Sequence, residues 1–212
     1  MVLGLLPIIQ VTAATGKDVT LMSLTRTAAA SADSGNQFNA DSGVYASVST
    51  LTAWSNSVQV DIGGTGRTPV VINHGGRKWQ TAQEDGINNA SAFQIKFKTV
   101  DYENIRFSCR QKSTASGPDF FSLAYRIGAQ GGFTAIPGSY AGSVNITGSS
   151  NDTYSAYDDP VKNTTSTYTS FVLPVEMEDE DEVYLRIYVD GPTSVGAGSG
   201  NTSINNILIT GD

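Results

Sequence analysis

Apolar and polar side chains alternate with a period of two through residues 92–127 and again through 183–190. Phe93, Ile95 and Phe97 interleave with Gln94, Lys96 and Lys98. Ile105, Phe107 and Cys109 interleave with Arg106, Ser108 and Arg110. Phe121, Leu123 and Tyr125 oppose Ser122, Ala124 and Arg126, and Val183, Leu185, Ile187 and Val189 oppose Tyr184, Arg186 and Tyr188. Successive side chains of an extended chain point to opposite faces of a sheet, so this pattern predicts strands with one buried and one wet face. They span Ala92–Val100, Asn104–Lys112, Phe120–Ile127 and Val183–Asp190, and a one-sided core of this kind belongs to antiparallel sheets. Weaker alternation predicts strands at Val19–Leu24, Val44–Val48, Val58–Ile62, Val70–Ile72, Gly142–Ile146, Tyr168–Leu173 and Ser203–Thr210. Gly63-Gly64-Thr65-Gly66 and Asn73-His74-Gly75-Gly76 read as turns, and the polar stretches 147–167 and 191–202 as surface loops. No segment carries a sustained helical period, and no internal repeat is visible.

Composition agrees with this reading. The chain has 212 residues with 22 glycines and 7 prolines, and only 16% are charged. Many short strands joined by turns call for such a composition. The length suits one β-sandwich with a core large enough to need no metal or disulfide. Cys109 is the single cysteine, which excludes an intrachain disulfide. A net charge of −7 disfavours phosphate backbones and acidic membrane surfaces. Neither nucleic-acid binding nor membrane insertion is therefore expected.

The N-terminus has its own character. Val2 to Val11 (VLGLLPIIQV) is an apolar run of the length of a signal-peptide core, followed by small Thr12-Ala13-Ala14 and polar Thr15-Gly16-Lys17-Asp18. It lacks a basic leading segment and is too short to span a bilayer. The expected division is a truncated signal peptide at 1–14 and a single β-sandwich domain at 15–212. A first strand tucked into the sheet is the alternative for 2–11.

Residues 93–126 (FQIKFKTVDYENIRFSCRQKSTASGPDFFSLAYR) have a distinctive order: a strand, T-x-x-Y-E-N-I, a strand rich in Arg and Gln, then S-x-x-S-G-P-x-x-F and another strand. The opening F-N-A-D-S-G-V-Y-A-S (Phe38–Ser47), a later V-Y-L-R-I-Y and the closing N-T-S-I-N-N-I-L-I-T-G complete the pattern. From Phe38 to Asp212 the chain resembles the carbohydrate-binding-module-like sandwich modules of large secreted or surface-anchored bacterial proteins. The resemblance implies an all-β, antiparallel two-sheet sandwich of jelly-roll type, secreted or held at the cell surface and joined to other domains in a longer parent protein. The ligand of such modules is generally unassigned, so no site residue follows from it, and such sandwiches host many roles.

Catalysis is limited by inventory. His74 is the one histidine, it lies in a turn, and no G-x-S-x-G elbow accompanies it. Cys109 sits on the apolar parity of its strand, as a core residue would. The acidic run Glu176, Glu178, Asp179, Glu180, Asp181 and Glu182 does not place two carboxylates on opposite walls of a cleft, as glycoside hydrolysis requires. It reads as a solvated turn. With one histidine and one cysteine, a zinc site is not expected. No cofactor is expected beyond a possible structural calcium, for which Asp41, Asp158, Asp159 and Asp212 are candidates, though no D-x-D-x-D-G loop is present.

Two groups of residues are candidates for binding. Six of the 13 basic residues, Lys96, Lys98, Arg106, Arg110, Arg126 and Arg186, share the polar parity with Tyr184 and Tyr188. In one sheet they would form a basic, aromatic strip able to hold sugar hydroxyls or a carboxylate such as a uronic acid. The alternative is the ordinary wet face of a sandwich. Trp54, Trp79, Tyr140, Tyr154 and Tyr157 fall in or near loops, where exposed rings can stack on pyranoses, and core packing is the alternative for the tryptophans. The expected function is a non-enzymatic accessory module for glycan binding or substrate targeting, with a polysaccharide partner. A structural or adhesive surface domain without a small ligand is the alternative, and a glycoside-active enzyme the third reading.

Overall fold

The computed structural model describes residues 18–24, 37–54, 59–61, 70–73, 79–113, 117–118, 120–140, 168–191 and 201–212. Within them lie strands β1 (Val19–Leu24), β2 (Gln37–Asn39), β3 (Thr50–Trp54), β4 (Gln59–Asp61), β5 (Val70–Asn73), β6 (Ala92–Phe97), β7 (Arg106–Ser113), β8 (Phe121–Ile127), β9 (Thr134–Ala135), β10 (Tyr168–Val172), β11 (Val183–Val189) and β12 (Asn201–Gly211). One short helix, α1 (Ala82–Asp85), precedes β6. The strands form two six-stranded sheets. The first runs β10-β7-β12-β5-β4, with β1 also paired to β12, and the second runs β2-β3-β6-β11-β8-β9. Every pairing is antiparallel. The chain is an all-β sandwich.

The alternation explains the core. Phe93, Ile95 and Phe97 of β6, Phe107 and Cys109 of β7, Leu123 of β8, and Val183, Leu185 and Ile187 of β11 are fully buried, together with Leu21, Met22, Leu51 and Ile209. These apolar faces meet between the sheets, and removing them from water is the main drive for the fold. Cys109 is a core thiol, and burial pushes its ionisation well up, which makes it inert.

Three expectations need correction. Residues 44–48 are no strand. Residues 41–45 run beside β1, with Ser23 N–H donating to Ser42 O (2.7 Å) and Val44 N–H to Thr20 O (2.9 Å). The chain then closes in a 3-10 turn at Ala46–Val48. Val44 and Val48 are exposed, so their spacing carried no burial. Gly43 makes this turn possible, because its φ is 126° and a Cβ there would lie 2.5 Å from Leu21 O. Gly43→Ala is expected to cost about 2 kcal/mol or more, read as a lower urea midpoint. An unchanged midpoint would refute this placement.

Strands β2, β3 and β9 were not expected. QFN and TA are too short to show a period, and Thr50-Leu51-Thr52-Ala53 alternates over only four residues, so pairing with neighbouring strands defines them. The outer face of the second sheet is also not uniformly wet. Ser122, Ala124, Arg186 and Tyr188 have the polar parity yet are buried. Ala90, Ala92, Ala124 and Tyr188 form a second apolar cluster, covered by Ala82, Ile87 and Phe133. The expected strand at 142–146, the turns at 63–66 and 73–76, and loop 147–167 lie wholly or mostly outside the described residues. Among the described residues no helix is long and apolar enough to cross a membrane.

Candidate functional site

Strand register assembles the polar parity of the second sheet into rows. Lys96, Tyr184 and Arg126 form one row, and Gln94, Arg186 and Ala124 the next. Ala92, Tyr188 and Ser122 form the third. Antiparallel neighbours on one face sit close enough for long side chains to interact.

Arg186 is the centre of this face and only 6% exposed. Its Nε donates to Gln94 Oε1 (3.0 Å), and its Nη1 to the carbonyls of Ile87 (3.0 Å) and Asn88 (2.8 Å). Burial, with the nearby Arg126 charge, lowers its pKa to about 10, so it stays protonated at neutral pH. The Asn88 side chain extends the link, because its Oδ1 accepts from Phe133 N–H (3.0 Å). One guanidinium thus fastens the 87–88 turn onto the sheet, and that turn holds the loop bearing Phe133.

Cations and rings alternate outward from there. The Arg186 guanidinium lies 4.0 Å from the Phe133 ring centre. Arg126 lies 4.8 Å from Phe133 on one side and 4.4 Å from Tyr184 on the other. Lys96 Nζ is 5.6 Å from Tyr184. Such contacts are attractive because the ring face is electron-rich, and they strengthen as water is excluded. Arg126 also donates to Gly128 O (3.1 Å) through Nε and to Gly131 O (3.4 Å) through Nη1.

Glu182 is the acidic member of the strip. Tyr184 OH donates to its Oε1 (2.5 Å), and Lys96 Nζ lies 3.1 Å from its Oε2. The Tyr184 hydrogen bond and then Lys96 hold its carboxyl below the usual range, while the bond to Glu182 holds Lys96 above its usual range. A depressed carboxyl pKa stabilises the fold above the unfolded value, here 4.5, and this stabilisation is lost as pH falls through the folded pKa. The melting-temperature difference between wild type and Glu182→Gln is therefore expected to be greatest above pH 4.5 and to vanish in stronger acid. A difference that grows on acidification would contradict the sign.

The other candidates scatter. Arg106 lies on β7 of the first sheet, beside Thr210 and Val172. Arg110 is on the same strand, its side chain outside the described residues. Lys98 falls beyond β6 and pairs with Asp181 at 3.1 Å. Tyr188 is 3% exposed, and burial raises its pKa. Trp79 is 4% exposed within the main core, so its ring is not offered at the surface. Trp54 ends β3, with its side chain outside the described residues, as are Tyr154 and Tyr157. Tyr140 is exposed, one ring face stacked on Phe120 at 5.9 Å.

Of the calcium candidates, Asp158 and Asp159 lie outside the described residues, and Asp41 is exposed. Asp212 lines a cleft of about 400 Å³ with Asp101, Tyr102, Glu103, Glu178 and Asp179. Asp179 Oδ1 accepts from Asp101 N–H (2.9 Å) and Glu178 Oε1 from Asn104 N–H (2.8 Å). Asp101, Asn104 and Asp179 have positive φ, so these carboxylates support tight turns. Among the described residues no group of three His, Cys, Asp or Glu is placed to hold a metal ion. The acidic run is thus more than a solvated turn. Thr99 Oγ1 donates to Met177 O (2.7 Å) and accepts from Glu180 N–H (2.9 Å), which clasps the β6–β7 connection to the start of β11.

Sequence reasoning missed Ile87, Asn88 and Phe133, and placed Glu182 only in a solvated acidic turn. Ile87 and Asn88 hold Arg186 through backbone carbonyls, which carry no residue-type signal. The usable hint for Phe133 was its position after the turn-forming G-A-Q-G-G at 128–132.

No protein-family profile and no curated protein matches the chain. Among solved structures it is similar to the K2 cleaved adhesin domain of Lys-gingipain, at 12% identity and a TM-score of 0.39, over 92% of this chain and 98% of that one. A likeness at that TM-score carries no argument, and the sandwich rests on its own strand pairing.

Proposed function

We propose that the chain is a non-catalytic structural or adhesive domain of an exported bacterial surface protein. The apolar run at 2–11 and the resemblance of residues 38–212 to modules of such proteins support its setting. The jelly-roll reading is supported by strand order. Numbered among themselves, β1, β6, β7, β8, β9, β10, β11 and β12 fall into the rows β1-β12-β7-β10 and β6-β11-β8-β9, so the first pairs with the last and all successive strands but β8 and β9 lie in different sheets.

One observation carries the functional reading. Arg186, at the centre of the strip that would have gripped a sugar, is buried with its donors on Gln94, Ile87 and Asn88. Phe133 covers one side of it. Hydrogen bonds and ring faces used inside the domain are not available to a ligand. A glycan-targeting module is the second reading, favoured by the outward ring of Tyr140.

The test is a glycan array probed with the full chain, with and without calcium. Silence on neutral oligosaccharides from folded protein is expected. Saturable binding of one neutral oligosaccharide class, abolished by Tyr140→Ala or Tyr184→Ala, would replace this reading with the targeting module.

A further inference from the structure

The rim of the strip differs from its centre. Arg126 is half-buried between two rings, and its hydrogen bonds to Gly128 O and Gly131 O use Nε and one Nη1 proton. A guanidinium has five N–H donors, so three remain on this partly exposed side chain. Among the described residues, Lys96 and Arg126 of this stack meet one carboxylate, Glu182, which already takes Lys96 and Tyr184. The acceptors of Arg126, Gly128 O and Gly131 O, are neutral. The protein as a whole carries −7, so this local excess of positive charge runs against its average.

We infer that the Arg126 edge, with the rims of Tyr184 and Phe133, is a contact site for an anionic group, carboxylate or sulfate ester, of an acidic polysaccharide. This goes beyond the adhesive reading and rests on it, naming the partner that such a domain would hold. A planar fork with free parallel donors matches a carboxylate or sulfate in two-point fashion. The flanking ring edges offer apolar contact to the sugar carbons, which favours a polysaccharide over an acidic polypeptide. Fixing the fork between two rings lowers the ordering cost of binding. The net negative charge is no obstacle at physiological ionic strength. The Debye length is then about 8 Å, so remote carboxylates are screened while a contact at the fork is not.

The experiment is affinity electrophoresis of the full chain through gels containing polygalacturonate, dextran sulfate, polyglutamate or neutral dextran. Wild type is expected to be retarded by polygalacturonate and not by neutral dextran. Arg126→Gln is expected to weaken the interaction about tenfold, the worth of one charge-assisted contact, with Arg126→Lys intermediate. Retardation confined to dextran sulfate, with the same dependence on Arg126, would identify the anion as a sulfate ester and uphold the site. Equal retardation of wild type and Arg126→Gln would overturn it, as would polyglutamate binding as strong as that of either polysaccharide. Wild type passing all four gels unretarded also overturns the site, while the structural reading is judged separately by the neutral array. Should Arg126→Gln unfold, titration of the wild-type Arg126 Nε–H resonance with polygalacturonate decides. A shift supports the site, and a static signal refutes it.

Discussion

Arg186→Ala should unfold about 6–12 °C below wild type. The substitution removes the donors that satisfy Gln94 Oε1, Ile87 O and Asn88 O beneath the 79–91 segment. Hydrogen bonds to a charged group contribute about 1.5–3 kcal/mol, and buried acceptors left unpaired keep their desolvation penalty. A net loss of about 3 kcal/mol follows, which in a domain of this size lowers the melting temperature by about 2–4 °C per kcal/mol. Arg186→Lys keeps the charge but not the fork, and should recover part of the loss. Arg186→Met should not recover it, because it fills space and leaves the carbonyls bare. Calorimetry on the three variants checks this. A melting temperature within about 1 °C of wild type for Arg186→Ala would show that the turn needs no latch.

Phe97→Ala should cost about 3–5 kcal/mol, the usual range for emptying a fully buried aromatic site. Phe97 is fully buried between the sheets, and its strand partner Val183 is buried with it. The strands on either side are tied by long ladders, β6 to β11 and β7 to β12, which restricts collapse into the cavity. Urea denaturation should show a lower midpoint with an unchanged slope, since the surface exposed on unfolding hardly changes. A cost below about 1 kcal/mol would contradict a close-packed interior there. The two predictions probe different bonds. The first tests the polar face of the second sheet, and the second tests the apolar interior.

The legible part of the fold was the part set by a simple period. β1 was placed at its observed ends, and β6, β7, β8 and β11 were located with ends a few residues off, because their apolar parity repeats every second residue. Val44–Val48 shows where that signal fails. A period gives no burial, and Gly43 turns the chain before a strand can form. The site was half legible. Residue type and parity grouped Lys96, Arg126, Tyr184 and Arg186, which do share a face. The same parity also grouped Arg106 and Arg110, which β7 carries into the other sheet. Parity states which side of its own strand a residue occupies, but not which sheet the strand joins.

The sequence by itself determined the class: antiparallel β strands around one core, an inert buried thiol, and an acidic chain with little chemistry for catalysis. Local preferences suffice for that, because alternation and residue inventory are properties of short windows. Only the tertiary structure decided what the polar face does. Two partners of Arg186 are backbone carbonyls of turn 87–88, 99 and 98 residues away in sequence. Phe133 reaches the stack only because β8 lies beside β11 and the chain folds back from it. Long-range contacts of this kind leave no pattern in the sequence, since what fixes them is the packing of one segment over another.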